Sequence, residues 1–174
     1  MSRKIVLYIA ASLDGYIATK DEDLEWLFKT EGEGDNGYSD FYGTIDTIIL
    51  GRRTYQWILD KEGDNFPYKN KQCYVFSKTM HGKDKNVEFV NGNVADLAKN
   101  LKQRDGKNIW IVGGGELLHD FIEQRLVEEW IINIAPTIIG DGIPLFKKLD
   151  FETRLFLKGV RRFNQFTELH YESV

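Results

Sequence analysis

The sequence predicts a single-domain α/β fold, on three observations. Apolar runs rich in β-branched residues, at positions 4–11, 44–50, 71–76 and 108–112, are interleaved with stretches of helical periodicity. Two of these runs end in glycine and pass straight into a helix, at Gly51 and at Gly113-Gly114-Gly115. With 174 residues and 42% apolar content, the chain can bury roughly two-thirds of its unfolded surface in one core, so residues 1–174 are read as one domain.

In chain order, residues 4–11 are apolar almost throughout, as suits a strand covered on both faces. That strand ends at Ser12-Leu13-Asp14-Gly15. Two small residues and a carboxylate leave its carboxyl end open and polar, and in open α/β sheets that edge is where ligands bind. An Asp-Gly turn into a short extension at 16–18 is the plainer alternative. Asp21-Glu22-Asp23 then opens a helix whose Leu24, Leu27 and Phe28 share a face, with Trp26 off that stripe. Residues 31–37 are glycine-rich and acidic, a candidate lid, and Phe41 and Tyr42 close a short helical turn.

The strand at 44–50 runs into Gly51-Arg52-Arg53-Thr54-Tyr55, which places two arginines where the helix dipole already repels them. A bound anion would explain the placement, because guanidinium forks pair with phosphate bidentately; solvated surface arginines are the alternative. The strand at 71–76 ends in a hydroxyl and an ammonium, Ser77 and Lys78. A short strand at 86–90 and a helix at 94–104, with Leu97, Ala98 and Leu101 inward, complete this part.

The organising stretch is 108–118. Four large apolar residues, Ile109 to Val112, lead into three glycines and a helix at 116–124. Glycine admits positive φ and lets a ligand approach the main chain, and the next helix aims free N–H groups at whatever sits there. An anionic phosphate is the usual occupant, although a tight turn needs one or two glycines as well. Residues 126–134 form a long strand that stops at Ala135-Pro136, since proline cannot donate to a ladder. The loop at 137–146 is placed to cover a site. The tail alternates around Phe163-Asn164-Gln165 and reads as an antiparallel hairpin at the sheet edge.

Composition narrows the function classes. A net charge of −4 and a pI near 5.5 argue against a nucleic-acid partner. Cys73 is the only cysteine, which fits a reducing cytoplasm and disfavours a thiolate metal site. The three histidines lack ligand spacing, so no metal is expected. Asp14 interrupts the N-terminal apolar run too early for an export signal, and no stretch nears the roughly 18 apolar residues of a membrane span.

The ordered set Ala10-Ala11, Gly51 to Tyr55, Val75-Phe76-Ser77-Lys78 and Ile109 to Glu116 resembles the dihydrofolate reductase superfamily. Within it, Ser12 to Gly15 and Leu126-Val127-Glu128-Glu129 through Ile134-Ala135-Pro136-Thr137-Ile138-Ile139-Gly140 resemble the reductase domain of bacterial bifunctional riboflavin-biosynthesis enzymes. The resemblance implies a three-layer fold, with a central mixed sheet of about eight strands between helices. It also implies NADPH as cofactor and a two-fold dimer. By the same resemblance Ala11 and Ile17 border the nicotinamide, and Arg52, Arg53 and Thr54 meet the pyrophosphate and the 2′-phosphate. Ser77 and Lys78 complete the 2′-phosphate site, and Gly51 opens the arginine-bearing helix. Gly113, Gly114, Gly115, Glu116 and Leu117 hold the pyrophosphate. One departure stands out: those riboflavin enzymes carry a glutamate just before the glycines, where this chain has Val112.

The expected function is NADPH-dependent reduction of a small heterocycle, with an NADP-binding regulatory protein that has no turnover as the alternative. Asp14 is the expected proton donor, and Ser12, Trp26 and Tyr55 the expected substrate contacts. Asp14 has two readings of opposite sign. Desolvation under Trp26 would raise its pKa for acid catalysis, whereas backbone bonds in an Asp-Gly turn would lower it. For assembly, Trp130, Phe151, Phe156 or Phe163 is expected at an exposed apolar interface.

Overall fold

The structure is a computed structural model and describes residues 2–174. Its elements in chain order begin with β1 (Ile5–Ser12), β2 (Tyr16–Ala18), α1 (Glu25–Phe28), α2 (Tyr38–Tyr42), β3 (Ile45–Gly51) and α3 (Arg52–Glu62). Next come β4 (Gln72–Phe76), β5 (Gly82–Lys83), β6 (Glu88–Val90), α4 (Val94–Lys102), β7 (Asn108–Gly113) and α5 (Gly115–Glu123). The chain closes with β8 (Glu129–Ala135), β9 (Ile143–Pro144), β10 (Leu155–Phe163) and β11 (Phe166–Ser173). This is an α/β fold with a large mixed sheet of nine strands and flanking helices. The strand beyond the expected eight or so is β5, two residues long and too short to carry a periodic signal.

The chain divides into two compact units. The first holds the chain up to Ile5 together with Thr44–Leu126. Its strands run β7-β3-β4-β6-β5, all parallel except β5. Ile48, Ile49, Leu50, Val75, Ile109 and Ile111 are wholly buried, as parallel strands covered on both faces require. Helix α4 buries Val94, Ala98 and Leu101. Its N-cap is Asn93, whose side chain accepts the Ala95 N–H at 2.8 Å, and Lys99 and Lys102 lie in its last turn, where the dipole favours cations. Arg3 is buried. Its guanidinium donates to the Leu101 carbonyl at 2.9 Å and pairs with Asp46 at 2.6 Å. A buried cation is tolerated only with such partners.

The second unit holds Val6–Gly43 and Val127–Val174. Strand β8 lies parallel to β1, β11 antiparallel to β8, and β10 forms the outer arm of a hairpin with β11. The hairpin turns at Asn164-Gln165, where Asn164 takes φ 55°. Strands β2 and β9 form a separate two-stranded ribbon.

Two expectations in this unit are corrected. The helix foreseen from Asp21 onward is only the single turn α1, because local side-chain bonds take the backbone donors first: Thr19 Oγ1 accepts the Asp23 N–H and Asp23 Oδ1 accepts the Glu25 N–H. Phe28 is consequently exposed and shares no buried stripe. Trp130, foreseen at an exposed interface, is buried, and its indole N–H donates to Ser173 Oγ at 3.0 Å.

Candidate functional site

In the first unit, the two strand-glycine-helix junctions meet. Gly51 is the N-cap of α3 and Gly114 the N-cap of α5, and neither helix start has a side-chain cap, so no side chain satisfies their first-turn N–H groups. A Cβ built on Gly51 would lie 3.2 Å from the Gly114 nitrogen and 3.7 Å from Leu117 Cβ. One built on Gly114 would lie 3.1 Å from Thr54 Oγ1. Gly113 closes β7 at φ 121° with open space beside it, and the Gly113–Gly114 peptide is cis. Arg52 and Arg53 stand exposed in the first turn of α3, which contains no acidic residue.

Gly115 opens α5, and Glu116 is exposed in its first turn. The β3–β4 register pairs Gly51 with Phe76, which puts Ser77 and Lys78 next along the neighbouring strand. Ser77 is buried and its hydroxyl accepts the Thr79 and Met80 N–H groups, while Lys78 is exposed. Gly51, Thr54, Gly113, Gly114 and Leu117 are thus brought together, with the arginines on the same helix start. Two uncapped helix N-termini and glycines whose side-chain space is open or filled by main chain fit a diphosphate.

Tyr55 is not in that cradle. Its hydroxyl donates to Asp84, and its ring packs edge-on against Phe66 and Phe89, each at 5.9 Å. Burial and then the Asp84 carboxylate push the hydroxyl pKa upward. The expected substrate contact is corrected to a core residue with a committed hydroxyl.

In the second unit, Ala11 and Ser12 are buried at the end of β1, and Ile17 is half-buried in β2. Ser12 Oγ donates to Asp14 at 2.6 Å and accepts the Tyr16 N–H at 2.9 Å. Asp14 is exposed and also accepts the Ile139 and Gly140 N–H groups, at 3.2 and 2.8 Å. The Ser12 hydroxyl, assisted by these N–H groups, holds the carboxyl below the usual range. The raised pKa expected for a general acid is therefore corrected to a lowered one: Asp14 clasps the β1–β2 turn to the 137–142 loop. Leu13 N–H to Thr137 O and Leu145 N–H to Gly15 O, both 2.8 Å, strengthen that clasp. Trp26 is half-buried on α1 and donates to the Asp23 carbonyl at 3.3 Å.

The sequence reading passed over one polar group. Asn133 and Glu168 are buried on neighbouring strands of the second unit. The signal was a lone amide inside Trp-Ile-Ile-Asn-Ile, in a strand otherwise apolar at its centre.

Parallel strands feeding glycine-opened helices, around a large mixed sheet, define a dihydrofolate reductase-like α/β class. A dihydrofolate reductase of Enterococcus faecalis superposes with a TM-score of 0.66 over 99% of both chains at 15% identity. The chain belongs to the RibD C-terminal domain family, which matches residues 3–168. The Bacillus subtilis proteins YwjB and YyaP are similar to it. YwjB is 50% identical over 98% of both chains, and YyaP 35% identical over 91% of this chain and 87% of its own. A Shewanella sp. PV-4 protein described as a riboflavin biosynthesis protein superposes with a TM-score of 0.89 at 28% identity, over 98% of this chain and 99% of its own. A Thermotoga maritima deaminase and 5-amino-6-(5-phosphoribosylamino)uracil reductase gives 0.73 at 16% identity, over 99% of this chain and 57% of that longer one. Family and fold are those of reductases. Among the described residues no helix is long and apolar enough to cross a membrane, and no cluster of three or more His, Cys, Asp or Glu could hold a metal.

Proposed function

We propose that the protein is an NADPH-dependent reductase of a small heterocyclic compound. The observation that carries this reading is the meeting of two uncapped helix starts at Gly51 and Gly114, with two exposed arginines on one of them. Arg52, Arg53, Thr54 and residues 113–117 would hold the phosphates, and Ser77 and Lys78 would extend the contacts to the adenosine 2′-phosphate. Ala11 and Ile17 are the residues proposed to border the nicotinamide. The cofactor supplies the hydride; the chain has to orient its partners and exclude water. With Asp14 held as an anion and Tyr55 turned into the core, solvent is the proposed proton source. The neighbours' names support the substrate class, since the Enterococcus reductase was solved with NADP(H) and the Thermotoga enzyme reduces an aminouracil.

The sole thiol, Cys73, is buried, and that burial pushes its pKa up to about 12, so it needs no disulfide partner; a reducing cytoplasm is the proposed location. The same lowered Asp14 pKa favours the alternative, an NADP-binding protein without turnover, because it removes the expected acid.

Titration calorimetry with both cofactors tests the main reading. The 2′-phosphate gains charge-assisted bonds of roughly 1.5–3 kcal/mol each before desolvation, so NADPH should bind about tenfold or more tighter than NADH. Arg52→Ala should weaken NADPH more than NADH. Equal dissociation constants would sink the NADPH assignment, and NADPH binding with no oxidation across a panel of aminopyrimidines would select the regulatory alternative.

A further inference from the structure

In the second unit, one face of the strands β1, β8, β11 and β10 carries a polar group that the phosphate cradle does not use. Asn133 pairs with Ala10 on one side and Glu168 on the other, and Glu168 pairs with Arg161. Strand alternation puts Tyr8, two residues before Ala10, on the same face. Asn133 is 5% and Glu168 3% exposed. Arg161 Nε and Nη2 both donate to Glu168 Oε1 at 2.8 Å, which leaves Oε2 without a donor. Asn133 Oδ1 is equally unpartnered. The Asn133 side chain hydrogen-bonds the Tyr8 hydroxyl, and burial, with Glu168 adding to it, raises that hydroxyl's pKa to about 12.

Buried acceptors without donors are unfavourable, and native folds keep few of them. Here two stand on directly paired residues of adjacent strands, and both want a donor. Aromatic rings from α2 cover the group: Phe41 stacks on Tyr8 at 4.0 Å and Tyr38 lies at 6.2 Å. That cover is one helical turn between Gly37 and Gly43. The loop before it rests on Arg161 and Phe163, since a Cβ on Gly37 would come within 3.1 Å of both, and the Gln165 N–H holds Glu31 O at 3.0 Å.

We propose that Asn133 and Glu168 form the acceptor floor of the substrate site, and that the substrate is an amino-substituted heterocycle presenting an N–H donor edge to them. The segment 31–43 moves aside to admit it. This rests on the reductase reading for its biological meaning but not for its chemistry. Two carbonyl-type acceptors select amino groups over ring nitrogens or keto oxygens, which would repel them.

The test uses the whole chain and two probes of one ring, 2,4-diaminopyrimidine and unsubstituted pyrimidine, with binding read by calorimetry. The diamino compound should bind, and pyrimidine should bind on the order of tenfold more weakly or not at all. Glu168→Gln and Asn133→Thr should each weaken the diamino compound on the order of tenfold. Glu168→Gln should melt no lower than the parent, because its new amide can donate to Asn133 Oδ1. NADPH binding, measured on the same samples, reports that each variant is folded. Equal binding of the two pyrimidines, no binding of the diamino compound, or undiminished binding by both folded variants would overturn the acceptor floor. If the parent fails to bind NADPH but binds the diamino compound in an Asn133- and Glu168-dependent way, the reductase reading falls and the acceptor floor stands.

Discussion

At Asp14 the Ser12 hydroxyl and two backbone N–H groups donate to one carboxylate, and each bond favours the anion over the acid. A folded-state pKa below the unfolded value gives stability that is complete above the unfolded value and is lost as pH falls through it toward the folded one. Asp14→Asn should therefore melt below the parent at about pH 7, and the gap should close toward about pH 3. A gap that stays constant over that range would remove the clasp from the account. The residue and its turn were legible in the sequence, as Asp-Gly after an apolar strand. The sign of its shift was not, because two of the three donors come from Ile139 and Gly140, 125 and 126 positions away along the chain. Tyr55 failed for a related reason: its partner Asp84 lies 29 positions on, in a loop without periodicity.

Elements whose information is local were read well. Strand β7, the glycines and α5 lay within a residue or so of their expected places, since an apolar run, a glycine pause and a 3.6-residue stripe are contiguous signals. Helix α1 was misjudged because an acidic first turn and an apolar stripe are outcompeted there by side-chain bonds from Thr19 and Asp23. What no local signal revealed was the approach of the β3–α3 and β7–α5 junctions, and that approach is testable. Gly51→Ala has an acceptable φ of −78°, so its only fault is the 3.2 Å approach to the Gly114 nitrogen. The neighbour has to give by a few tenths of an ångström, at a cost of about 1–3 kcal/mol. NADPH affinity should fall along with the midpoint of urea unfolding. If affinity falls and unfolding does not shift, the glycine serves the ligand alone; if neither changes, the two helix starts do not form one cradle.

At the scale of the whole molecule, the strand order ends at β10, and its outer side pairs with no strand among the described residues. An unpaired edge is open to association unless charge, bulges or a partner cover it. Strand β10 has some protection, with Lys158 at a register shift and Arg161 and Arg162 beyond it. Yet Phe156, Leu157 and Val160 on the same strand are 62%, 50% and 57% exposed. Three large apolar side chains on one edge strand are more than scattered surface residues, and burying each is worth roughly 1.5–3 kcal/mol. A second copy can pair with the edge and cover the three side chains in one isologous contact, so a two-fold dimer is the expected state. The expected interface thus moves from Trp130, which the fold buries, to the outer strand of the tail hairpin. Sedimentation equilibrium at micromolar concentration should show twice the 20.2 kDa chain mass. Phe156→Lys should shift the species toward the single-chain mass without lowering the urea midpoint of the monomer, because Phe156 packs little within its own chain. A parent protein that sediments only as the 20.2 kDa chain would end the dimer proposal, and a Phe156→Lys variant that stays dimeric would place the interface elsewhere.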